Sequence, residues 1–314
     1  MVRKTSTSRS RSARFEELRG KNEATWRKPI AHVRSAALLL AGLSLATPAA
    51  ASCQLIASGP QAPQTSGWAL PSGIKVASAS PDLVLQLAQA PSLALDEVGL
   101  RYIGHATFEI TSPKGVRIAT DYNDYEKPAV PPRVATMNNA HSTHFTPNPD
   151  PSIEHVLTGW NPEGGPIDHD IRVEDVRIRN LPTNARGWDG ETRAFGNSIF
   201  IFELADLCIA HLGHLHHQLT PDDLATLGRI DVVLAPVDNA ATLRLDSLMA
   251  VLDGIKPSVV VPMHFHFAGA LERFLSRAAS DGWAVTPYPT SAAVLSRKTI
   301  PSERTVMVMM PGGG

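Results

Sequence analysis

The sequence is short of three things, and each shortage removes a class of protein. It holds two cysteines in 314 residues, so no disulfide framework is expected to support the fold. Cys208 lies inside a strand-like apolar run, where a buried, inert thiol is expected. Long apolar runs are missing too: the strongest, about residues 36–46, falls short of the roughly 20 that a membrane-spanning helix needs. Positive charge is scarce beyond the start of the chain. Without residues 1–51 there are 19 Lys/Arg against 27 Asp/Glu, a net charge of −8, which leaves nucleic-acid binding no electrostatic footing. A small-molecule substrate is the expected partner. No internal repeat is present.

What is there begins with a leader. Residues 1–34 carry ten Lys/Arg and three Asp/Glu, followed by the uncharged SAALLLAGLSLATPAAAS with an Ala-x-Ala end at Ala49–Ala51. This is the profile of a secretory signal peptide over 1–51 and implies a periplasmic or secreted protein. Ala50-Ala51-Ser52-Cys53 loosely matches a lipoprotein attachment site, although Leu is usual at its first position; membrane association is expected only if Cys53 is lipidated. Residues 52–95, rich in Ala, Ser, Pro and Gln, read as a flexible leader. A folded domain is expected over 96–300, then a C-terminal strand and a frayed PGGG tail over 301–314.

Within the domain, short apolar segments follow one another: GLRYIG, TFEITS, VRIATD, VATMN, HVLTG, VRIRNLP, SIFIFEL and LCIAHLG. The second half alternates. PDDLATLG, with Thr220 as N-cap, reads as a helix, then DVVLAP as a strand, TLRLDSLMAVLDGI as a helix, SVVVPMH as a strand, ALERFLSRAASDG as a helix and WAVTPY as a strand. A β-rich half followed by alternation predicts two packed sheets with helices outside.

Eight of the twelve histidines fall in three clusters, each at the end of a strand-like run: His141/His144, His211/His214/His216/His217 and His264/His266. Four imidazoles in the seven residues of HLGHLHH have no ordinary packing use. Neutral imidazoles gathered from separate strand ends are how a chain builds a transition-metal site. His141 and His144 precede the irregular loop that Pro147 and Pro149 enforce, and His264 sits where VVVPM stops. His155 and His169 read as loop or surface residues.

In order and spacing, GLRYIGHATFEI, RIATD, GNSIFIFE, LCIAHLG, IDVVLAPVD and KPSVVVPMH resemble the metallo-β-lactamase fold, in particular its ascorbate-6-phosphate lactonase-like branch, over roughly residues 98–285. The resemblance implies an α/β (α+β) four-layer αβ/βα sandwich with a metal site at the sheet edges. It places His141, His144 and His264 on retained histidine positions and Asp121 on an aspartate near the metal. His105 is near the site as well, with a core histidine as the competing reading. The aspartate that bridges two metals in the family becomes His214, while other ligand positions read Asn139, Thr143 and Asn184. The implied ligands are therefore His141, His144, His214, His264 and Asp121, an imidazole-rich centre for zinc, as one or two ions, with iron, manganese or nickel also compatible.

The function this implies is metal-dependent hydrolysis of an ester, lactone, amide or phosphoester, with His216 or His266 moving the proton. The same residues allow two other readings: a catalytically silent metal- or ligand-binding protein, and redox chemistry at iron. Specificity is expected to lie in the loops 122–135 and 159–170, the latter with Trp160.

Overall fold

Period-two burial builds the strands. In β1 (Val98–Gly104), Val98, Leu100 and Tyr102 face the core while Gly99 and Arg101 are half-exposed. The computed structural model describes residues 53–54, 92–187, 189–265 and 268–313; the signal segment and most of the leader lie outside them. After β1 the first half holds β2 (Thr107–Thr111), β3 (Arg117–Ala119), β4 (Val134–Met137), β5 (His155–Thr158), β6 (Asp170–Val173), β7 (Val176–Arg186), β8 (Thr192–Leu204) and β9 (Leu207–His211). The second half holds α1 (Pro221–Leu227), β10 (Val232–Pro236), α2 (Leu245–Ile255), β11 (Val259–Met263), α3 (Ala268–Ser280), β12 (Ala284–Pro287), β13 (Ala292–Leu295) and β14 (Thr305–Val308).

Two mixed sheets result. One has the order β13-β1-β2-β3-β4-β5, the other β12-β14-β11-β10-β9-β8-β7-β6. Their inner faces meet in a core that includes Leu100, Phe108, Ile118, Phe200, Phe202, Ile209, Leu234 and Val261. The opposite face of the larger sheet, with Ile201, Ala210, Val233 and Val260, packs on Leu248 and Leu252 of α2 and on Phe274 of α3. The outer face of β3 and β4 meets Tyr122, Ile153, Phe145 and Trp160. This is the expected α+β architecture. Among the described residues its helices all come from the second half of the chain.

Local chemistry explains the helix starts and stops. Thr220 caps α1 by accepting from the Asp223 amide, and Asp223 reciprocates, which makes a capping box. α2 ends where Lys256 takes a left-handed conformation.

Three expectations are corrected. Cys53 and Cys208 form a disulfide with a Cα–Cα distance of 5.8 Å, so Cys208 is no free thiol and the sulfur of Cys53 is not left for a lipid. Both side chains are fully buried, and the Cys53 carbonyl accepts from the Arg229 amide at 2.7 Å, pinning the start of the leader beside α1. The pairing is invisible in a sequence where 155 positions separate the partners. The C-terminal tail is not frayed through its glycines: Gly312 and Gly313 donate to the carbonyls of Tyr102 and Ile103. β14 lies between β12 and β11 inside the larger sheet.

Candidate metal centre

Parallel neighbours finish at the same edge of a sheet, so residues just past their ends are brought together. β9, β10 and β11 are neighbours in register, with His211 opposite Leu234 and Pro236 opposite Met263. Their C-terminal ends therefore release His214, Asp238 and His264 along one edge. In the other sheet β3 and β4 are parallel neighbours and release Asp121, His141 and His144. The β1–β2 turn adds His105. Left-handed backbone at His105, Asp121 and His264 (φ 49°, 42° and 57°) turns the chain sharply at three of these ends, a conformation that costs energy outside glycine and that concentrates at functional sites.

The result is a knot of imidazoles. His105, His141, His144 and His264 each offer one nitrogen within 4.8 Å of the others. The Nε2 atoms of His144 and His264 are 3.1 Å apart, close to the ~3.3 Å that two imidazoles on one tetrahedral zinc would show. His214 completes the group, its ring centroid 5.1 Å from those of His141 and His264 and 5.0 Å from that of His144. His214 is buried with neither ring nitrogen hydrogen-bonded. Two orphaned polar atoms on a buried ring are costly unless something else binds there.

Behind this ring stands a layer that orients it. His144 Nδ1 is 2.5 Å from Asp121 Oδ2, and the other carboxylate oxygen accepts from Asn138 Nδ2 at 2.9 Å. Asp121, expected as a ligand, thus has both oxygens engaged and backs His144, an arrangement that fixes the imidazole tautomer in metal sites. The Thr143 hydroxyl is 2.8 Å from His141 Nδ1. Asn138 also accepts from the Ser198 amide at 2.7 Å, tying the end of β4 to β8. Gly213, at φ 57°, leaves room for this network, because a Cβ there would lie 2.4 Å from Asn197 Oδ1 and 2.5 Å from Asn138 Nδ2. Asp238 Oδ2 lies 3.9 Å from His264 Nδ1.

Burial keeps these groups neutral. It pushes the Asp121 carboxyl well above the usual carboxylate range, with the Asn138 bond pulling the other way. It drives His144 well below the usual imidazole range, helped by His264, His214, His141 and His105. His214 is pushed down to about 3 by burial and then by His141. Neutral imidazole is the form that binds metal. Outside the ring, burial holds His211 at about 4; its Nε2 donates to the Ala106 carbonyl at 2.8 Å, bracing the turn that carries His105.

Other sequence candidates stand elsewhere. His216 is committed to the hairpin end, its Nδ1 to the Asn184 carbonyl at 3.1 Å and its Nε2 3.4 Å from the Thr192 hydroxyl. Asn184, on a ligand position of the resembled family, serves that hairpin, its amide donating to His217 Nε2 and its side chain accepting from the Phe195 amide. His266 lies outside the described residues. His169 bonds the Thr158 carbonyl. Sequence reasoning leaves His105 undecided and passes over Asp238 and Asn138. Asp238 has the same address as His264, just beyond a buried strand, and that address is the signal that could have found it.

The ring opens on a cavity of about 460 Å³ lined by His141, His214, His264, Asp238 and Arg186 among small residues. Two mixed sheets meeting at a histidine-rich edge define the metallo-β-lactamase class of fold. The profile of the β-lactamase superfamily domain matches residues 99–264, and the chain belongs to that family. Among solved structures it is similar to a proposed Zn-dependent hydrolase of the metallo-β-lactamase superfamily from Thermotoga maritima, at 26% identity and a TM-score of 0.50 over 68% of this chain and 98% of that one. It is also similar to a metallo hydrolase from Ignicoccus hospitalis (18% identity, TM-score 0.48, 69% and 96% covered). A diiron β-hydroxylase from Streptomyces venezuelae shows 10% identity and a TM-score of 0.45, with 65% and 55% covered. No curated protein matches the chain. These matches reach the superfamily and stop short of the ascorbate-6-phosphate lactonase-like branch.

Proposed function

We propose that the protein is a metal-dependent hydrolase acting in an oxidising compartment outside the cytoplasm. The observation that carries the reading is the convergence of four imidazole nitrogens within 4.8 Å, with two of the rings, His141 and His264, lining a small-molecule-sized cavity. The donor set fits a transition metal: neutral nitrogens, a buried carboxylate behind one of them, and the two orphaned nitrogens of His214 beside them. His105, His141, His144 and His264 would hold the ion, with His214 as a fifth imidazole. No carboxylate stands among the four, so the set suits a single cation better than a close pair, which needs negative charge between its members. The Cys53–Cys208 bridge supports the extracytoplasmic reading, since structural disulfides persist in oxidising compartments.

Bound there, a divalent ion would supply Lewis acidity, making water nucleophilic near neutral pH and polarising the scissile group. The chain does the rest. Asp121 and Thr143 fix the ring orientations of His144 and His141. Asp238, the one carboxylate on the described cavity wall, is held by the amides of Ala241 and Thr242 and by the Thr242 hydroxyl. We assign it the proton from the attacking water, in place of His216, whose nitrogens are occupied.

The test compares wild type with His264→Ala for bound metal after purification without chelators, and for turnover of ester, lactone and phosphodiester substrates. Wild type should carry about one equivalent of metal and hydrolyse at least one class, and the variant should lose both. Equal, negligible metal in the two proteins would overturn the reading. Metal without turnover would leave the binding-protein alternative.

A further inference from the structure

Arg186, the last residue of β7, is half-buried on the wall of the cavity that holds His141, His214 and His264. Among the described residues it makes no ion pair. Of the other described arginines without one, Arg172, Arg193, Arg244 and Arg273 are exposed to solvent, where water serves their charge, and the half-buried Arg101 and Arg117 donate to the carbonyls of Gly313 and Pro131. The opposite charge on the same wall is already committed, because Asp238 accepts from Ala241 and Thr242 in its own turn. The remaining wall is alanine and glycine, which offers an anion neither competition nor contacts of its own. Gly187 and Gly190, beside Arg186 in the hairpin, form part of that wall.

A permanently charged, forked donor held half-buried with no carboxylate against it is built to meet a planar or tetrahedral oxyanion. We propose that Arg186 is a specificity-determining residue and that the substrate carries an anionic group, a carboxylate or a phosphate, which Arg186 grips while the scissile bond lies at the histidines. This rests on the hydrolase reading, and it narrows the substrate to an anionic ester, lactone or amide.

The experiment has two arms. In the first, metal-free protein is titrated calorimetrically with benzoate, phenyl phosphate and neutral benzamide. Wild type should bind at least one anion and not benzamide, R186Q should lose that binding by about tenfold to a hundredfold, and R186K should recover part of it. The tighter of the two anions identifies the group as carboxylate or phosphate. In the second arm, metal-loaded proteins hydrolyse phenyl acetate and 4-acetoxybenzoate. R186Q should lose kcat/KM on the anionic ester by a similar factor, mainly through KM, and stay within about threefold on the neutral one. Failure of wild type to bind either anion, no loss in R186Q, or equal loss on both esters would overturn the proposal. If no ester is turned over, the hydrolase reading fails while the titration still decides the role of Arg186.

Discussion

Opening the Cys53–Cys208 bridge should cost the domain much of its margin of stability. The bond spans 155 positions, and the chain-entropy relation gives a loss of about 17 cal/mol/K in the unfolded chain for a loop of that length, or about 5 kcal/mol at 25 °C. Measured disulfides often deliver less, so about 2–5 kcal/mol is the working range. For a domain of this size that corresponds to a drop in melting temperature of about 5–20 °C. The native side of the balance should change little, because both side chains are wholly buried in one apolar cluster with Leu227, Ile230 and Val233, and alanine is tolerated there at the cost of a small cavity. The assay is thermal and urea unfolding of oxidised wild type, reduced wild type and the Cys53→Ala/Cys208→Ala double variant, with free thiols counted under denaturing conditions. Oxidised protein should show no thiol, and the other two should melt early and together. A double variant within about 1 kcal/mol of the oxidised protein, or two titratable thiols in material from an oxidising compartment, would refute the reasoning.

Metal affinity should rise with pH. Burial keeps Asp121 protonated above the usual carboxylate range, whereas a cation at His144 Nε2 favours an ionised Asp121 facing an Nδ1–H. Binding then releases a proton, and affinity should change about tenfold per pH unit in that window; calorimetry in buffers of different ionisation enthalpy measures the proton, and a flat profile would contradict the scheme. Asn138→Ala should destabilise by about 2–4 kcal/mol, since it strands the Asp121 oxygen and the buried Ser198 amide together; urea midpoints unchanged from wild type would show that water replaces both bonds. Asp238→Asn should keep its metal while kcat falls by about 10²–10⁴-fold, and unchanged kcat would remove Asp238 from the reaction.

How much is legible in the sequence differs between fold and site. The strands show because each is a short apolar run with its own punctuation, and Thr220 shows as a cap because the capping box is local. β13 escapes: AAVL is four residues whose burial alternates only against β1. The histidines are visible as a set because their addresses, just past strand ends, are a one-dimensional pattern. Their division of labour is not. Asp121 behind His144, Thr143 behind His141 and the tying of His216 to Asn184 depend on which way each side chain points after a left-handed turn, and spacing carries no such information. Arg186 gives no sign, since an arginine ending a long strand becomes informative only once the hairpin folds over the cavity.

The bridge from Cys53 to Cys208 also sets the covalent topology of the candidate centre. His105, His141 and His144 lie on the closed ring of chain, while His214 and His264 lie on the branch that leaves it at Cys208. A protease that nicks the ring once, anywhere between these two cysteines, leaves one covalent molecule that still carries every site histidine. Only reduction would let the fragments part, so a nicked sample should run at full length until a reductant is added.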